Sequence, residues 1–192
     1  GVKCSIDGVP VHGNTDIGIL RAVLRREGVS DQDFEGKLPS MLSRMCAEVA
    51  DNSAHIRAEV CPSIEELLRW LHGGGKLLGV VSGNLEPIGW LKLEAAGLRH
   101  YFSFGSFSDR NEAREDIFRH GMAEARRRQA NARVCFVGDT PADIEAARRL
   151  GVPIIAVATG VYDREALTAH QPTLCVDCCT DLLRNLNSQA GS

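Results

Sequence analysis

A short polar segment after an apolar run carries residues suited to binding a phosphate group. Ser82, Gly83 and Asn84 come at the end of the apolar run 76–82 and directly before a predicted helix. A hydroxyl and exposed backbone N–H groups at such a turn can donate hydrogen bonds to phosphate oxygens. The same residue types also form ordinary turns with a helix N-cap, so this segment alone does not establish a site.

A second polar segment brings two carboxylates onto a turn between a strand and a helix. Asp139 follows Val137 and Gly138, and Asp143 lies four residues further on. Carboxylate oxygens are hard ligands that suit Mg²⁺. Asp-Thr-Pro is also a common structural turn, but this acidic turn follows the hydroxyl turn by about 55 residues, and the pair is more specific than either alone. Together they indicate a metal ion and a phosphate held side by side.

The elements that must position these turns alternate between apolar strands and helices. Continuous apolar runs predict strands at residues 76–82, 101–105, 133–137 and 153–158, and a weaker one at 173–176. Helical patterns at 86–96, 112–129 and 142–150 lie between them. This alternation predicts an α/β fold with a Rossmann-like, doubly wound parallel sheet, in which ligands bind beyond the carboxyl ends of the strands.

The first third of the chain predicts helices instead of strands. Apolar residues recur at helical spacing within residues 17–27 and 34–49, and Ser63 with Glu66 resembles the start of a further helix. We therefore divide the chain into a mostly helical cap domain at 1–62 and an α/β core at 63–192. Residues 187–192 are predicted to be disordered.

Composition excludes several classes of function. The 192 residues have a formal net charge of −3 and a pI near 6.1, which indicates neither a nucleic-acid footprint nor a polybasic membrane patch. No apolar run approaches the ~18 residues of a membrane span. The seven cysteines are an odd, scattered set that fits reduced thiols, and Cys175, Cys178 and Cys179 lack the second pair of ligands that a zinc site needs. We predict a cytoplasmic protein with a small solute or a protein as partner.

The chain resembles the haloacid dehalogenase (HAD) superfamily of hydrolases, in particular the phosphoglycolate phosphatase-like branch with a helical cap after the first core strand. The resemblance spans nearly the whole chain: GNTD at 13–16, VVSGNL at 80–85, LKLEAAGL at 91–98, FGS at 104–106, VGDTPADI at 137–144 and AVATG at 156–160. It implies a HAD-like core and a Mg²⁺-dependent phosphatase that acts on a small phosphorylated metabolite through an aspartyl-phosphate.

The resemblance also implies roles for individual residues. Ser82 corresponds to the hydroxyl that binds the transferring phosphoryl group, with Gly83 and Asn84 adding nearby N–H donors. Asp139 would ligate Mg²⁺ directly, and Asp143 would hold the metal through water or a hydrogen bond.

The basic residue that the family places on the phosphate, usually a lysine, is not obvious here. Residues 109–117 contain no lysine; Arg114 fits best, Arg110 second and Lys92 third. Arg114 could equally be a solvated helix residue paired with an acid one turn away. In the cap, the residues Asn14, Thr15 and Asp16 either contact the leaving group or form a simple helix N-cap.

The family's nucleophile motif, an apolar strand ending in Asp-x-Asp-Gly-Thr, is not found in this sequence. Residues 5–9 (SIDGV) are a degenerate version of it, or else they belong to the cap and the motif lies upstream of Gly1. We favour the second interpretation, because the cap segment matches without gaps. The first strand would lie between the strands that end at Ser82 and Val137. Without it we expect exposed sheet edges, instability or a homo-oligomer, and an inactive chain.

Two other functions stay open. A non-catalytic binding or interaction protein would keep the phosphate site without a nucleophile. A haloacid dehalogenase on the same fold is disfavoured, because Asp139 and Asp143 indicate a metal that hydrolytic dehalogenation does not need.

Overall fold

A computed structural model describes residues 3–190 of the protein. Within them, the helices are α1 (Asp16–Arg26), α2 (Asp31–Asp51), α3 (Ile64–Gly73), α4 (Glu86–Ala95), α5 (Arg114–Arg128), α6 (Pro141–Arg149), α7 (Arg164–Ala169) and α8 (Cys179–Ala190). The strands are β1 (Gly79–Val81), β2 (Phe104–Ser106), β3 (Phe136–Gly138), β4 (Ile154–Val157) and β5 (Leu174–Val176). None of the described helices is long and apolar enough to cross a membrane.

All strand pairs are parallel, as expected for apolar runs that alternate with helices. β1 pairs with β2, and β4 lies between β3 and β5. Parallel pairing needs a crossover between successive strands, and the intervening helices provide it. The carboxyl ends of β1 and β3 carry the two polar turns at 82–84 and 139–143. The structure confirms the predicted α/β fold.

Helix α5 holds the two sheets together. The ring of Phe118 on α5 lies 4.2 Å from that of Phe136 on β3, measured between centroids. One turn further along, Gly121 lies so close to Val81 on β1 that an added Cβ would be 3.0 Å from its side chain. Val81, Phe118 and Phe136 belong to one apolar cluster, with Ile144, Ile154 and Leu167 at its centre. The two sheets therefore lie side by side on one helix.

No described strand lies between β1 and β3, so the neighbouring edges of the two sheets lack ladder partners. The side chain of Val137 on β3 is 53% exposed, whereas its neighbour Phe136 is buried. Strands of a covered parallel sheet are normally buried on both faces. The expectation of unpaired edges at this place is confirmed for the described residues.

The helical N-terminal part packs onto the core through α4. Ile17 of α1 and Phe34 of α2 are buried in one cluster with Leu85 and Ile88 of the core. The division at residue 62 stays a prediction, but this cluster shows how helices α1 and α2 reach the loop after β1.

Three local predictions differ from the structure. The expected tail at 187–192 is helical as far as Ala190, because α8 buries Leu182; the last two residues lie outside the described part. α7 was not predicted, since six residues are too few for a clear period. Ser63 is the N-cap residue of α3 as predicted, but its side chain makes no capping hydrogen bond: it has φ 60° and its hydroxyl accepts a hydrogen bond from Thr180 instead.

Candidate functional site

The turn after β1 leaves the Ser82 hydroxyl able to donate a hydrogen bond. Its oxygen accepts a hydrogen bond from the backbone N–H of Asn84 at 3.2 Å. A hydroxyl that accepts in this way keeps its own proton for another acceptor. The backbone N–H of Ser82 donates to the carbonyl of Ser106 on β2 at 3.0 Å, and this bond connects the turn to the sheet. Ser82 therefore follows a paired strand directly, and its hydroxyl proton is available for a hydrogen bond.

Arg114 connects the turn after β1 to the turn after β3. It is the first residue of α5, and its side chain is only 17% exposed. Its Nε lies 3.0 Å from Oδ1 of Asp143. Its Nη1 would be 3.1 Å from a Cβ placed on Gly83, so glycine there leaves room for the guanidinium. The two segments that the sequence predicts to act together are thus joined by one cation.

The contact between Arg114 and Asp143 is a charge pair without an aligned hydrogen bond. Nε of Arg114 is buried and makes no hydrogen bond within the described residues, despite its 3.0 Å separation from the carboxylate. The guanidinium carries five N–H donors and no acceptor. Arg114 therefore keeps hydrogen-bonding capacity that a phosphate could use. It is not the solvated helix residue of the alternative interpretation.

The other two basic candidates lie elsewhere. Lys92 donates from Nζ to the side-chain oxygen of Asn84 at 3.1 Å, so it contacts the turn from the α4 side. Arg110 lines an open cleft beside β2 together with Trp90 and Arg99. Among the three, Arg114 is the residue that lies beside Gly83 and also pairs with Asp143.

The acidic turn is a capping box that fixes one of its two carboxylates. The Thr140 hydroxyl donates to Oδ2 of Asp143 at 2.7 Å, and the Asp143 N–H donates to that hydroxyl at 3.3 Å. The sequence Thr-Pro-Ala-Asp at 140–143 matches the spacing of a capping box and could have predicted it. Asp143 is thereby oriented by Thr140 and Arg114, and Asp139 is the carboxylate with oxygens to spare.

Asp139 lies in an environment that disfavours its charge. Burial raises the pKa of Asp139 above its ordinary 3.8, and the negative charge of Asp143 raises it further. The positive charges of Arg114 and His12 lower the pKa and offset part of this effect. A Cβ on Gly160 would collide with the Asp139 carboxylate, so the loop after β4 closes over it. A bound cation would relieve the cost of this charge.

The described carboxylates can be compared with the way proteins bind Mg²⁺. No group of three or more His, Cys, Asp or Glu side chains able to hold a metal occurs within the part of the chain that the structure describes. Mg²⁺ does not require such a cage, because it keeps several waters and binds through one or two carboxylates plus phosphate oxygens. Asp139, with Asp143 beside it, fits that mode of binding.

The cap residues lie against the turn after β1 in a way that the sequence did not reveal. The backbone carbonyl of Asn14 would be 2.6 Å from a Cβ on Gly83, while its side chain bonds locally to Thr15 and Pro10. Thr15 is the N-cap of α1, and its hydroxyl also donates to the carbonyl of Glu112. Contact between Asn14 and a substrate stays a prediction.

The pKa shift of Asp139 predicts how stability depends on pH. Because the folded-state pKa is raised, the ionised carboxylate costs stability at pH values above it, and this cost shrinks as the pH falls below the folded-state pKa and vanishes only below the ordinary value of 3.8. In metal-free buffer at pH 7, Asp139→Asn should raise the melting temperature by about 2–4 °C, as for ~1 kcal/mol. Thermal melts from pH 7 down to pH 4 should show this difference becoming smaller.

Asp51→Asn is the matched control, since it removes a carboxylate from the exposed end of α2. A melting temperature that falls in Asp139→Asn at pH 7, or a gain that does not change with pH, contradicts the electrostatic argument.

Comparisons with known proteins agree with this geometry. A family model described as haloacid dehalogenase-like hydrolase matches residues 12–157. Phosphoglycolate phosphatase of Synechococcus elongatus is 28% identical over 169 residues, which cover 85% of this chain and 74% of that protein. The chain spans 57% of the length of a second relative, phosphoglycolate phosphatase of Salmonella paratyphi A, at 26% identity over 76% of this chain.

Solved structures share the fold. A predicted phosphoglycolate phosphatase from Haemophilus somnus matches with a TM-score of 0.65 and 19% identity, covering 91% of this chain and 79% of that one.

Proposed function

Because the chain belongs to the haloacid dehalogenase-like hydrolases, we propose that it is the cap and most of the core of a Mg²⁺-dependent phosphatase for a small phosphorylated metabolite. The observation that carries the proposal is the position of Arg114, whose guanidinium lies in the space that a Cβ on Gly83 would crowd and pairs with Asp143 on the other side. A cation between a hydroxyl turn and an acidic turn suits a phosphoryl group held beside a metal ion. A substrate similar to phosphoglycolate is suggested by the relatives alone.

In this proposal each residue stabilises charge on the phosphoryl group. The Ser82 hydroxyl and the Gly83 N–H donate to equatorial oxygens, and Arg114 adds a charge-assisted donor. Asp139 and Asp143 would hold Mg²⁺, which neutralises negative charge on the phosphate when bound. Catalysis of phosphoryl transfer depends mostly on such positioning and electrostatics.

We propose that the nucleophile is an aspartate on a strand that pairs between β1 and β3. A parallel strand there would end beside Ser82 and Asp139 and would cover Val137. The alternative, a degenerate motif at residues 5–9, has less support: this segment forms an exposed turn in which Arg26 donates to the carbonyls of Ser5 and Asp7, and Ile6 is 61% exposed. Attack of its carboxylate on phosphorus would break the P–O ester bond, release the alcohol of the metabolite and form an aspartyl-phosphate, which water would then hydrolyse to free phosphate and the aspartate.

Phosphate binding by the 192-residue chain tests the proposal without requiring turnover. We expect inorganic phosphate to bind in the presence of Mg²⁺, followed by ³¹P NMR or calorimetry, and to bind more weakly once EDTA is added. Absence of binding in Mg²⁺ would contradict the proposed site. Binding that is unaffected by EDTA would argue for a metal-independent binding protein, the second class of function.

We also propose that unpaired edges of β1 and β3 let the chain self-associate. Unpaired strand edges are templates for pairing with another chain, and charge at the edge prevents it. Val137→Lys should weaken self-association about tenfold, or ~1.4 kcal/mol, as measured by sedimentation equilibrium or light scattering over a concentration series.

Val161→Lys is the control, because Val161 is 67% exposed and lies outside the strands. A wild-type chain that stays monomeric at all concentrations, or a Val161→Lys variant that dissociates equally, would exclude association through this edge.

A further inference from the structure

Asp16 of α1 bonds to three consecutive residues of the turn after β1. Its Oδ1 accepts from Nδ2 of Asn84 at 3.1 Å, and its Oδ2 accepts from the N–H of Leu85 at 2.8 Å. Its own N–H donates to the carbonyl of Gly83 at 2.8 Å. Aspartate in a first turn usually serves its own helix, but Thr15 already caps α1. The carboxylate of Asp16 is therefore directed at another part of the chain.

The side chain of Asn84 is held at both ends. Asp16 accepts from its nitrogen, while Lys92 donates to its oxygen at 3.1 Å. The backbone of Asn84 in turn donates to the Ser82 hydroxyl oxygen at 3.2 Å and accepts from the N–H of Ser108 at 3.0 Å. Since these bonds share one residue, the orientation of the Ser82 hydroxyl depends on the contact between Asp16 and Asn84.

The same helix also clamps the segment that leads into α5. The buried Thr15 hydroxyl donates to the carbonyl of Glu112 at 3.0 Å. Nε of Arg21 donates to both carboxylate oxygens of Glu112 at 2.9 Å. Glu112 precedes Arg114 by two residues. Helix α1 thus contacts both segments that carry the proposed phosphate donors, Ser82 and Arg114.

We propose that Asp16 is a positioning residue that keeps the turn 82–85 in the conformation that accepts a phosphoryl group. Docking of α1 on this turn and phosphate binding are then coupled, and each strengthens the other to the same extent. The inference rests on the proposed phosphate site and gives Asp16 a role different from contact with the leaving group.

Asp16→Asn tests this role with little change of shape. The asparagine oxygen can still accept from Leu85, but its NH₂ group then faces the NH₂ group of Asn84, so two donors oppose each other. We expect affinity for inorganic phosphate in Mg²⁺ to fall about tenfold, as for loss of a hydrogen bond to a charged group. Lys92→Met should give a smaller loss, and the double variant should lose less than the product of the two single effects.

The control is Asp33→Asn, in the first turn of α2. Asp33 forms hydrogen bonds with Ser30, the N-cap residue of α2. These bonds involve no residue of the proposed site. The phosphate affinity of Asp33→Asn should stay within about twofold of wild type, even where its melting temperature falls as much as that of Asp16→Asn. In ¹⁵N NMR, the Asn84 side-chain amide should shift on phosphate addition in wild type, and this response should be lost in Asp16→Asn.

The outcomes separate the inference from the function on which it rests. A wild type that does not bind phosphate overturns both. A wild type that binds phosphate, together with an Asp16→Asn variant of equal affinity, overturns the positioning role alone. Equal weakening in Asp33→Asn also overturns it, because the effect would then reflect general destabilisation of the cap.

Discussion

We expect Arg114→Gln to lower the affinity for inorganic phosphate by at least about 100-fold, or ~2.7 kcal/mol. The reason is that Arg114 is a largely buried cation that lies beside Gly83 and pairs with Asp143, so its loss would remove the donors and leave a carboxylate facing the anion. Arg114→Lys should give an intermediate loss, because an ammonium group supplies charge without fork geometry. Calorimetric titration with phosphate in Mg²⁺ measures all three proteins.

Arg110→Gln is the matched control for this result. Arg110 lines the cleft beside β2, so the affinity of the Arg110→Gln variant for phosphate should stay within about twofold of that of the wild type. Circular dichroism should confirm that Arg114→Gln folds, since breaking a buried ion pair is destabilising. Equal loss in both variants, or no loss in Arg114→Gln, would show that Arg114 is not the phosphate-binding cation.

We expect Asp139→Asn to weaken the proposed Mg²⁺ binding by about 1,000-fold, because a neutral amide would replace the carboxylate that has oxygens to spare. Asp143→Asn should cost only about tenfold, in the range for residues that orient a ligand. The Asp143 carboxylate is already engaged by Thr140 and Arg114. Titration with Mn²⁺, followed by water proton relaxation, measures both variants.

The prediction is tested most directly by the order of the two losses of metal affinity, which should be larger in Asp139→Asn than in Asp143→Asn. If Asp143→Asn abolishes metal binding and Asp139→Asn leaves it intact, the assignment of direct ligand and orienting residue is reversed. The same Asp139→Asn variant should melt higher than wild type without metal, so loss of binding cannot be attributed to unfolding.

The sequence predicted the fold correctly but gave the strand limits less well. The apolar run 76–82 predicts a seven-residue strand, whereas β1 comprises only Gly79–Val81, opposite a partner β2 of the same length. The run 133–137 is displaced against β3 at Phe136–Gly138. Hydrophobic pattern reports which residues are apolar, whereas a ladder ends where its neighbouring strand ends. Helix α8 was not predicted, because its last residues are polar and its apolar spacing is limited to Leu182, Leu183 and Leu186.

The candidate site shows the same division between local and long-range information. Ser82 and Asp139 could be predicted as candidates because each lies directly after a strand, where the fold puts ligands, and Asp143 because it follows Asp139 by four residues, in the first turn of α6. The choice of Arg114 over Arg110 and Lys92 depends on where α5 begins, and sequence reasoning fixes helix ends poorly.

The bond between Asp16 and Asn84 joins residues 68 positions apart. Neither aspartate nor asparagine predicts such a long-range contact, since both residue types are common in turns and helix caps. Only the packing of α1 on the turn after β1 reveals it. The sequence could suggest Asp16 as a candidate but could not distinguish positioning of the turn from contact with the leaving group.

Mg²⁺-dependent release of phosphate from an aryl phosphate tests the central claim most directly. The assay compares the 192-residue chain with a form extended upstream to the start codon, and the extended form with its Asp139→Asn variant. We expect turnover only in the extended form, carrying an Asp-x-Asp-Gly-Thr strand, and a loss of at least about 1,000-fold in Asp139→Asn. An extended form that binds phosphate but releases none from the ester would contradict the phosphatase assignment and identify a non-catalytic binding protein.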